Sequence, residues 1–167
     1  GNSKAVGYTP NLNFAGSDSF VVRVTDTAGL SASITVNVTL SPVDDAPVIT
    51  EGASVNVSMS EDGSPTPFAL TLNASDPEAD LISWDIQTAA LNGNASVTGT
   101  GLSQVISYTP NADFAGSDSF VVRTTANTLT DSITVNVSVQ PVNDVPVISQ
   151  GASATINISE DNSPNAF

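Results

Sequence analysis

The sequence predicts an all-β protein made of seven-stranded sandwiches joined in tandem. Three observations carry this. Long blocks of sequence return after about 100 residues, apolar side chains alternate with period 2, and the alternating segments are separated by Gly, Pro, Asn and Asp.

The repeats set the domain organisation. "YTPNLNFAGSDSFVVRVTD" from Tyr8 returns as "YTPNADFAGSDSFVVRTTA" from Tyr108. "PVDDAPVIT" from Pro42 returns as "PVNDVPVIS" from Pro141, and "EGASVNVSMSEDGSP" from Glu51 as "QGASATINISEDNSP" from Gln150. The spacing is 99 or 100 residues in each case. One complete repeat is expected over 46–140, with linkers at 42–45 and 141–145. Residues 1–41 then read as the C-terminal half of a preceding repeat, and 146–167 as the first strand of a following one. The chain is expected to be a window on a longer array, with neighbouring repeats as its main partners. The two partial repeats cannot close a core by themselves. They are expected to be disordered or satisfied by swapping between molecules.

Within the complete repeat, seven strands are expected at roughly 53–59, 68–74, 81–87, 94–98, 103–108, 118–125 and 132–140. The last is the clearest: Ile133, Val135, Val137 and Val139 face one way, as Ile34, Val36, Val38 and Leu40 do in the first copy. Phe120 and Val122, then Phe68, Leu70 and Leu72, then Val55, Val57 and Met59 repeat the pattern. Trp84 shares its phase with Ile82 and Ile86, which places it in the core rather than on a sugar-stacking surface. No segment sustains a 3.6-residue period. Seven short antiparallel strands in about 100 residues, with a Trp on the third, describe an immunoglobulin-like sandwich.

Composition removes several functions. The 167 residues contain no Cys and no His, so disulfides, thiolate or imidazole metal ligands and His-activated nucleophiles are absent. Seventeen Asp and Glu stand against three Lys and Arg, a net charge of −14. That surface repels nucleic acid, whose affinity comes from cations meeting phosphates, and it repels anionic membranes. No apolar run reaches the length of a membrane span, so no membrane insertion is expected. No enzyme activity is expected either: "SDSF" has no base beside it, and no shared cleft is evident for carboxylates such as Glu61 and Asp76. The six Asn-X-Ser/Thr triplets, at Asn37, Asn56, Asn73, Asn94, Asn136 and Asn157, read as polar fillers of outward strand faces.

The acids are concentrated. Asp44 and Asp45 lie in the first linker, and Asn143 and Asp144 in the second. Glu61 and Asp62 follow the first strand, as Glu160 and Asp161 do in the copy. Asp76, Glu78 and Asp80 form "DPEAD" before the Trp84 strand, Asp113 precedes the sixth strand, and Asp26 follows the sixth strand of the first copy. Strand ends gather at the two poles of a sandwich. Two carboxylates ~4 Å apart repel by about 4 kcal/mol at an effective dielectric near 20. A hard cation relieves this, and Ca²⁺ accepts 6–8 oxygen ligands in flexible geometry. Taken singly, "VDD", "DPEAD" and "SEDGSP" are also ordinary turn sequences.

In this order, the residues resemble cadherin repeats, and more closely the cadherin-like tandem repeats of large bacterial surface adhesins of the RTX type. The resemblance rests on "YTPNADFAGSDSF", the "DPEAD" loop and the "PVNDVPV" linker, and it covers essentially the whole chain. It implies a calcium-binding, calcium-rigidified structural or adhesive repeat of a large secreted or surface-anchored bacterial adhesin, extracellular or at the cell surface, with other domains of the parent protein reaching cell-surface glycans or proteins. A carbohydrate-binding module is the alternative. By position, the resemblance implies a metal site at 42–46 from Asp44, Asp45, Asp76, Glu78 and Asp80, with Asn11 and Asn13 nearby. It implies a second at 141–145 from Glu61, Asn111, Asp113, Asn143 and Asp144. The family pattern also wants an Asp after strand six, pointing to the junction before its own domain. Asp26 has that place in the first copy; the second has Ala126. Neighbouring Asn127 and Asp131 are the candidates to compensate, and Ala126→Asp is expected to tighten the site, or to have no effect if the loop, one residue shorter here than around Asp26, points its side chain elsewhere.

Overall fold

The computed structural model describes residues 3–149 together with 151, 153, 155 and 160. All its regular structure is β, in ten strands: β1 (Gly16–Thr25), β2 (Ser31–Leu40), β3 (Val48–Ile49), β4 (Ser54–Ser60), β5 (Leu70–Ser75), β6 (Ser83–Thr88), β7 (Gly93–Ser96), β8 (Ser103–Pro110), β9 (Gly116–Ala126) and β10 (Leu129–Gln140). Among the described residues no helix is long and apolar enough to cross a membrane.

Strands β3 to β10 form two four-stranded sheets, in the orders β4-β10-β9-β6 and β3-β5-β8-β7. Seven strands become eight elements because the first is split. Val48 and Ile49 pair antiparallel with β5 in one sheet, and Ser54–Ser60 pair parallel with β10 in the other. The chain changes sheets through a turn at Gly52, whose φ of 84° suits glycine and strains other residues. Asp131 of β10 ties the two sheets together by accepting the Ile49 N–H in its carboxylate (2.8 Å).

Alternation puts one side chain in two between the sheets. Leu72, Ile106, Phe120, Val122, Ile133 and Val135 are almost fully buried. Trp84 is buried with them, and its indole N–H donates to the Gly101 carbonyl (2.8 Å). Outward positions carry Ser, Thr and Asn. Asn56 and Asn136, opposite each other in the β4–β10 register, bond side chain to side chain (3.0 Å).

β1 and β2 form a separate two-stranded sheet, paired antiparallel from Gly16↔Leu40 to Thr25↔Ser31. Phe20, Val22, Val36 and Val38 are only half-buried there, whereas their counterparts Phe120, Val122, Val135 and Val137 are core. The partial repeat is therefore folded as a hairpin with its apolar side uncovered. The first strand expected within 146–167 lies largely outside the described residues.

Candidate functional site

The predicted ligands fall into two groups, one at each pole of the sandwich. At the first pole the "DPEAD" loop between β5 and β6 is shaped by its own first residue. Asp76 Oδ1 accepts the N–H groups of Glu78 (3.1 Å) and Asp80 (3.0 Å), the backbone N–H of Ala79 donates to the Asp76 carbonyl, and Ala79 takes a φ of 63°. The other oxygen, Asp76 Oδ2, is buried with no hydrogen-bond partner. Such an atom is costly unless something electropositive meets it.

The 42–45 linker docks on this loop. The Asp45 N–H donates to Glu78 Oε2 (3.1 Å). Asn127 donates from one amide nitrogen to Asp80 Oδ2 (2.7 Å) and to Asp44 Oδ1 (3.1 Å). Burial pushes the Asp80 carboxyl above the usual carboxylate range, with further contributions from Asp44 and Asp76, and the Asn127 amide opposes the rise. A cleft of about 760 Å³ beside the linker is lined by Asn11, Asn13, Phe14, Asp45 and Glu78, among others. Asp44, Asp45, Glu78 and Asp80 thus lie around the docked linker, and Asn11 and Asn13 line the cleft beside Asp45 and Glu78.

Ala126 is the exception. β9 and β10 are joined by a two-residue turn, Asn127 and Thr128, with Ala126 paired to Leu129. The corresponding loop between β1 and β2 is longer, and there Asp26 Oδ1 accepts the N–H groups of Ala28 (2.9 Å) and Leu30 (2.8 Å). Shortening the loop turns Ala126 into the core, where it is 1 % exposed. Of the two outcomes expected for Ala126→Asp, tightening of the site is therefore corrected, and the shorter loop does point the side chain elsewhere. Asn127, with a φ of 50°, faces the junction instead. Asp131 does not compensate; its two oxygens are engaged by Ile49 and Ser132 backbone N–H groups.

At the opposite pole, Glu61 Oε1 accepts the Val142 N–H, which fixes the second linker to the end of β4. The Asp144 carboxyl is held above its ordinary range chiefly by the negative charge of Asp62, then by burial, Asp113 and Glu61. Asp113 has a φ of 59° in a turn closed by the Phe114 N–H and the Asn111 carbonyl (3.1 Å), and Asn13 repeats that turn with a φ of 56°. Asn143 directs its amide to the Asp144 carbonyl (3.3 Å). Glu160 is exposed, and Asp161 lies outside the described residues. Among the described residues, no three acidic side chains converge into a ready-made metal centre at either pole.

One acid outside both poles has a structural role that the sequence reading missed. Asp118 is 8 % exposed, inside the sandwich. It accepts the Tyr108 hydroxyl (2.8 Å) and the N–H groups of Leu91 (3.2 Å), Asn92 (2.9 Å) and Ser119 (2.8 Å). The signal was present: Asp118 has the phase of Phe120 and Val122, so a charge sat in core register.

A family model described as a bacterial Ig domain matches residues 1–39 and 44–138. The chain belongs to the bacterial Ig domain family. The match covers both copies and breaks at residues 40–43, just before the linker acids Asp44 and Asp45 of this bacterial Ig chain. Among solved structures, protocadherin gammaB7 EC3-6, described as a cis-dimer, has a TM-score of 0.50 and 19% identity over 75% of this chain and 32% of that one. Two endo-fucoidan hydrolases of glycoside hydrolase family 107 also match. MfFcnA4 has a TM-score of 0.48 and 21% identity, over 80% of this chain and 20% of that one. For MfFcnA9 the values are 0.44, 17%, 78% and 23%. The bacterial Ig chain thus spans between about a fifth and a third of the length of these structures. The protocadherin match supports a cadherin-like sandwich and nothing finer. No curated protein matches the sequence.

Proposed function

We propose that this bacterial Ig chain is a calcium-rigidified structural repeat of an extracellular adhesin, non-catalytic, in which cations at the poles fix the angle between successive sandwiches. One observation carries the reading. Linker Asp44 and Asp45 meet Asp76, Glu78 and Asp80 at one pole, and Asp76 Oδ2 is left buried and unpartnered there. The donor set suits Ca²⁺: hard carboxylate and amide oxygens only, on a linker and a loop that can adjust. Asp44, Asp45, Asp76, Glu78 and Asp80 would hold the ion, and the Asn127 amide, turned over, would add an oxygen. The second pole would use Glu61, Asn111, Asp113, Asn143 and Asp144. The ion would supply charge neutralisation and a rigid cross-link between linker and loop. Family membership favours a surface or extracellular setting, where bacterial Ig-like domains usually occur.

A melting curve of the chain with calcium, with magnesium and with chelator tests this. Extracellular calcium modules have dissociation constants of roughly 10⁻⁴–10⁻³ M. Ion at about 100 times that constant adds about 2.7 kcal/mol per site, a rise of roughly 10 °C or more for a domain of this size. Magnesium should do much less, because it demands a tight octahedral cage. Superimposed curves in calcium and in chelator would refute the proposal.

A further inference from the structure

We propose that Asn127 is a positioning residue that locks the first linker onto the 76–80 loop without any metal, through one side-chain amide shared between Asp44 and Asp80. The inference deepens the reading of this pole as a junction between domains, and its metal-free arm stands apart from calcium.

The geometry is that of a bridge. Asn127 begins the two-residue turn between β9 and β10, so its backbone is fixed by the two longest strands of the sandwich. Its amide nitrogen carries two hydrogens, and two carboxylates lie within reach, at 2.7 Å and 3.1 Å. One carboxylate belongs to the linker and the other to the loop. A hydrogen bond to a charged acceptor is worth about twice a neutral one, and here two such bonds hold parts of the chain 36 residues apart in sequence (Asp44 and Asp80). The bridge also relieves the repulsion that these acids would otherwise exert across the junction. Beside it, the Asp45 N–H on Glu78 gives the linker a second attachment.

The feature belongs to this junction and not to the repeat. In the first copy Thr27 stands where Asn127 does, in a longer loop organised by Asp26. At the second pole the nearby Asn143 amide is directed to a backbone carbonyl, and the linker is held by the Val142 N–H on Glu61. The two junctions therefore differ in what orders them. The first is set by an amide and is ordered before any cation arrives. The second is held by the Val142 N–H on Glu61, and among the described residues no side-chain amide is shared between its carboxylates.

The test uses the full chain in chelator and reads the hydrogen exchange of the Asp45 amide, which reports linker docking directly. Asn127→Gly removes the amide and keeps a residue at ease with a positive φ; Asn127→Asp replaces the donor by a third carboxylate. Trp84 fluorescence and exchange in β9 and β10 verify that each variant is folded. In wild type the Asp45 amide should be protected without metal. In both variants its exchange should accelerate by roughly tenfold or more, as two charge-assisted bonds are lost. An unprotected Asp45 amide in wild type, or equal protection in wild type and Asn127→Gly, would overturn the proposal. Adding calcium then examines the other reading by itself. Recovery of protection in Asn127→Asp supports a cation site, and no response to calcium in either protein removes that site while leaving the amide bridge standing.

Discussion

Asp118→Ala should be among the most damaging single substitutions in the sandwich, although Asp118 lies outside both acidic poles. The carboxylate accepts four hydrogen bonds, and three come from the Tyr108 hydroxyl and the Leu91 and Asn92 N–H groups. Tyr108 is 4 % exposed and its hydroxyl would be stranded completely. The two loop amides lie nearer the surface and would partly reach water. A stranded buried donor costs about 1–3 kcal/mol, so the total should be about 3–5 kcal/mol. For a domain of about 100 residues, each kcal/mol moves the melting midpoint by about 4–8 °C, which places the expected loss at no less than about 12 °C. Differential scanning calorimetry at neutral pH is the assay. Tyr108→Phe, which removes one donor and leaves the others, should cost roughly a third as much. Asp18→Ala in the β1–β2 hairpin is the internal control, because the same Tyr–Asp bond is present there (2.7 Å) but exposed. A midpoint for Asp118→Ala within about 3 °C of wild type, under 1 kcal/mol, would show that the network contributes no net stability. The pH dependence has a definite sign. Burial alone would raise the Asp118 carboxyl, but its hydrogen bonds outweigh burial and hold it below the ordinary carboxylate value. Its contribution is then complete above about pH 4, the unfolded value, and fades as pH falls through the depressed folded value.

Four further outcomes are expected. Asp76→Asn keeps an oxygen but removes a charge, and in calorimetric titration it should weaken calcium binding at the first pole several-fold. Asp85→Asn should leave calcium binding unchanged, since Asp85 is paired with Arg123 (2.7 Å) on the sheet face; equal affinity for wild type and Asp76→Asn would show the ligands misplaced. Ala126→Asp should lower the melting midpoint, because an unpaired carboxylate would enter a core position at a cost of about 3–5 kcal/mol. An unchanged midpoint with tighter calcium binding would show the side chain escaping to the junction. Gly93→Ala should destabilise by about 1–3 kcal/mol, because a Cβ there would stand 2.6 Å from the Tyr108 ring, which Asp118 prevents from swinging away. Denaturant midpoints check it, and a neutral result would mean that the ring yields.

Much of the fold was legible because period-2 alternation is a strong signal over long strands such as β9 and β10, and the repeat doubled it. The split of the first strand was not legible. Val48 and Ile49 are too short a pair to show alternation, and the crossing depends on backbone geometry at Gly52. The poles could be read from where the acids cluster, because strand ends must gather at the ends of a sandwich. Which residue completes the first pole could not be read by counting along the family pattern. A loop shorter by one residue rotates Ala126 inward and brings Asn127 forward, and such a rotation is a property of the hairpin, not of composition. Asp118 was overlooked because a charge in a strand reads as solvated; its phase with Phe120 argued otherwise.

The parallel pairing of β4 with β10 has a mechanical meaning. After the two-residue β3 the chain runs along β4, and it leaves the sandwich at the end of β10; these two strands run side by side in the same direction through seven register pairs, Thr134↔Ser54 to Gln140↔Ser60. Tension applied to the chain on either side pulls Ser54 and Gln140 apart along the strand axis. The ladder is thereby loaded in shear, with its rungs sharing the force at once. A hairpin pulled at its open end would instead peel rung by rung. Strands β5 to β9, lying between these two in sequence, are shielded from the load until that one seam gives way.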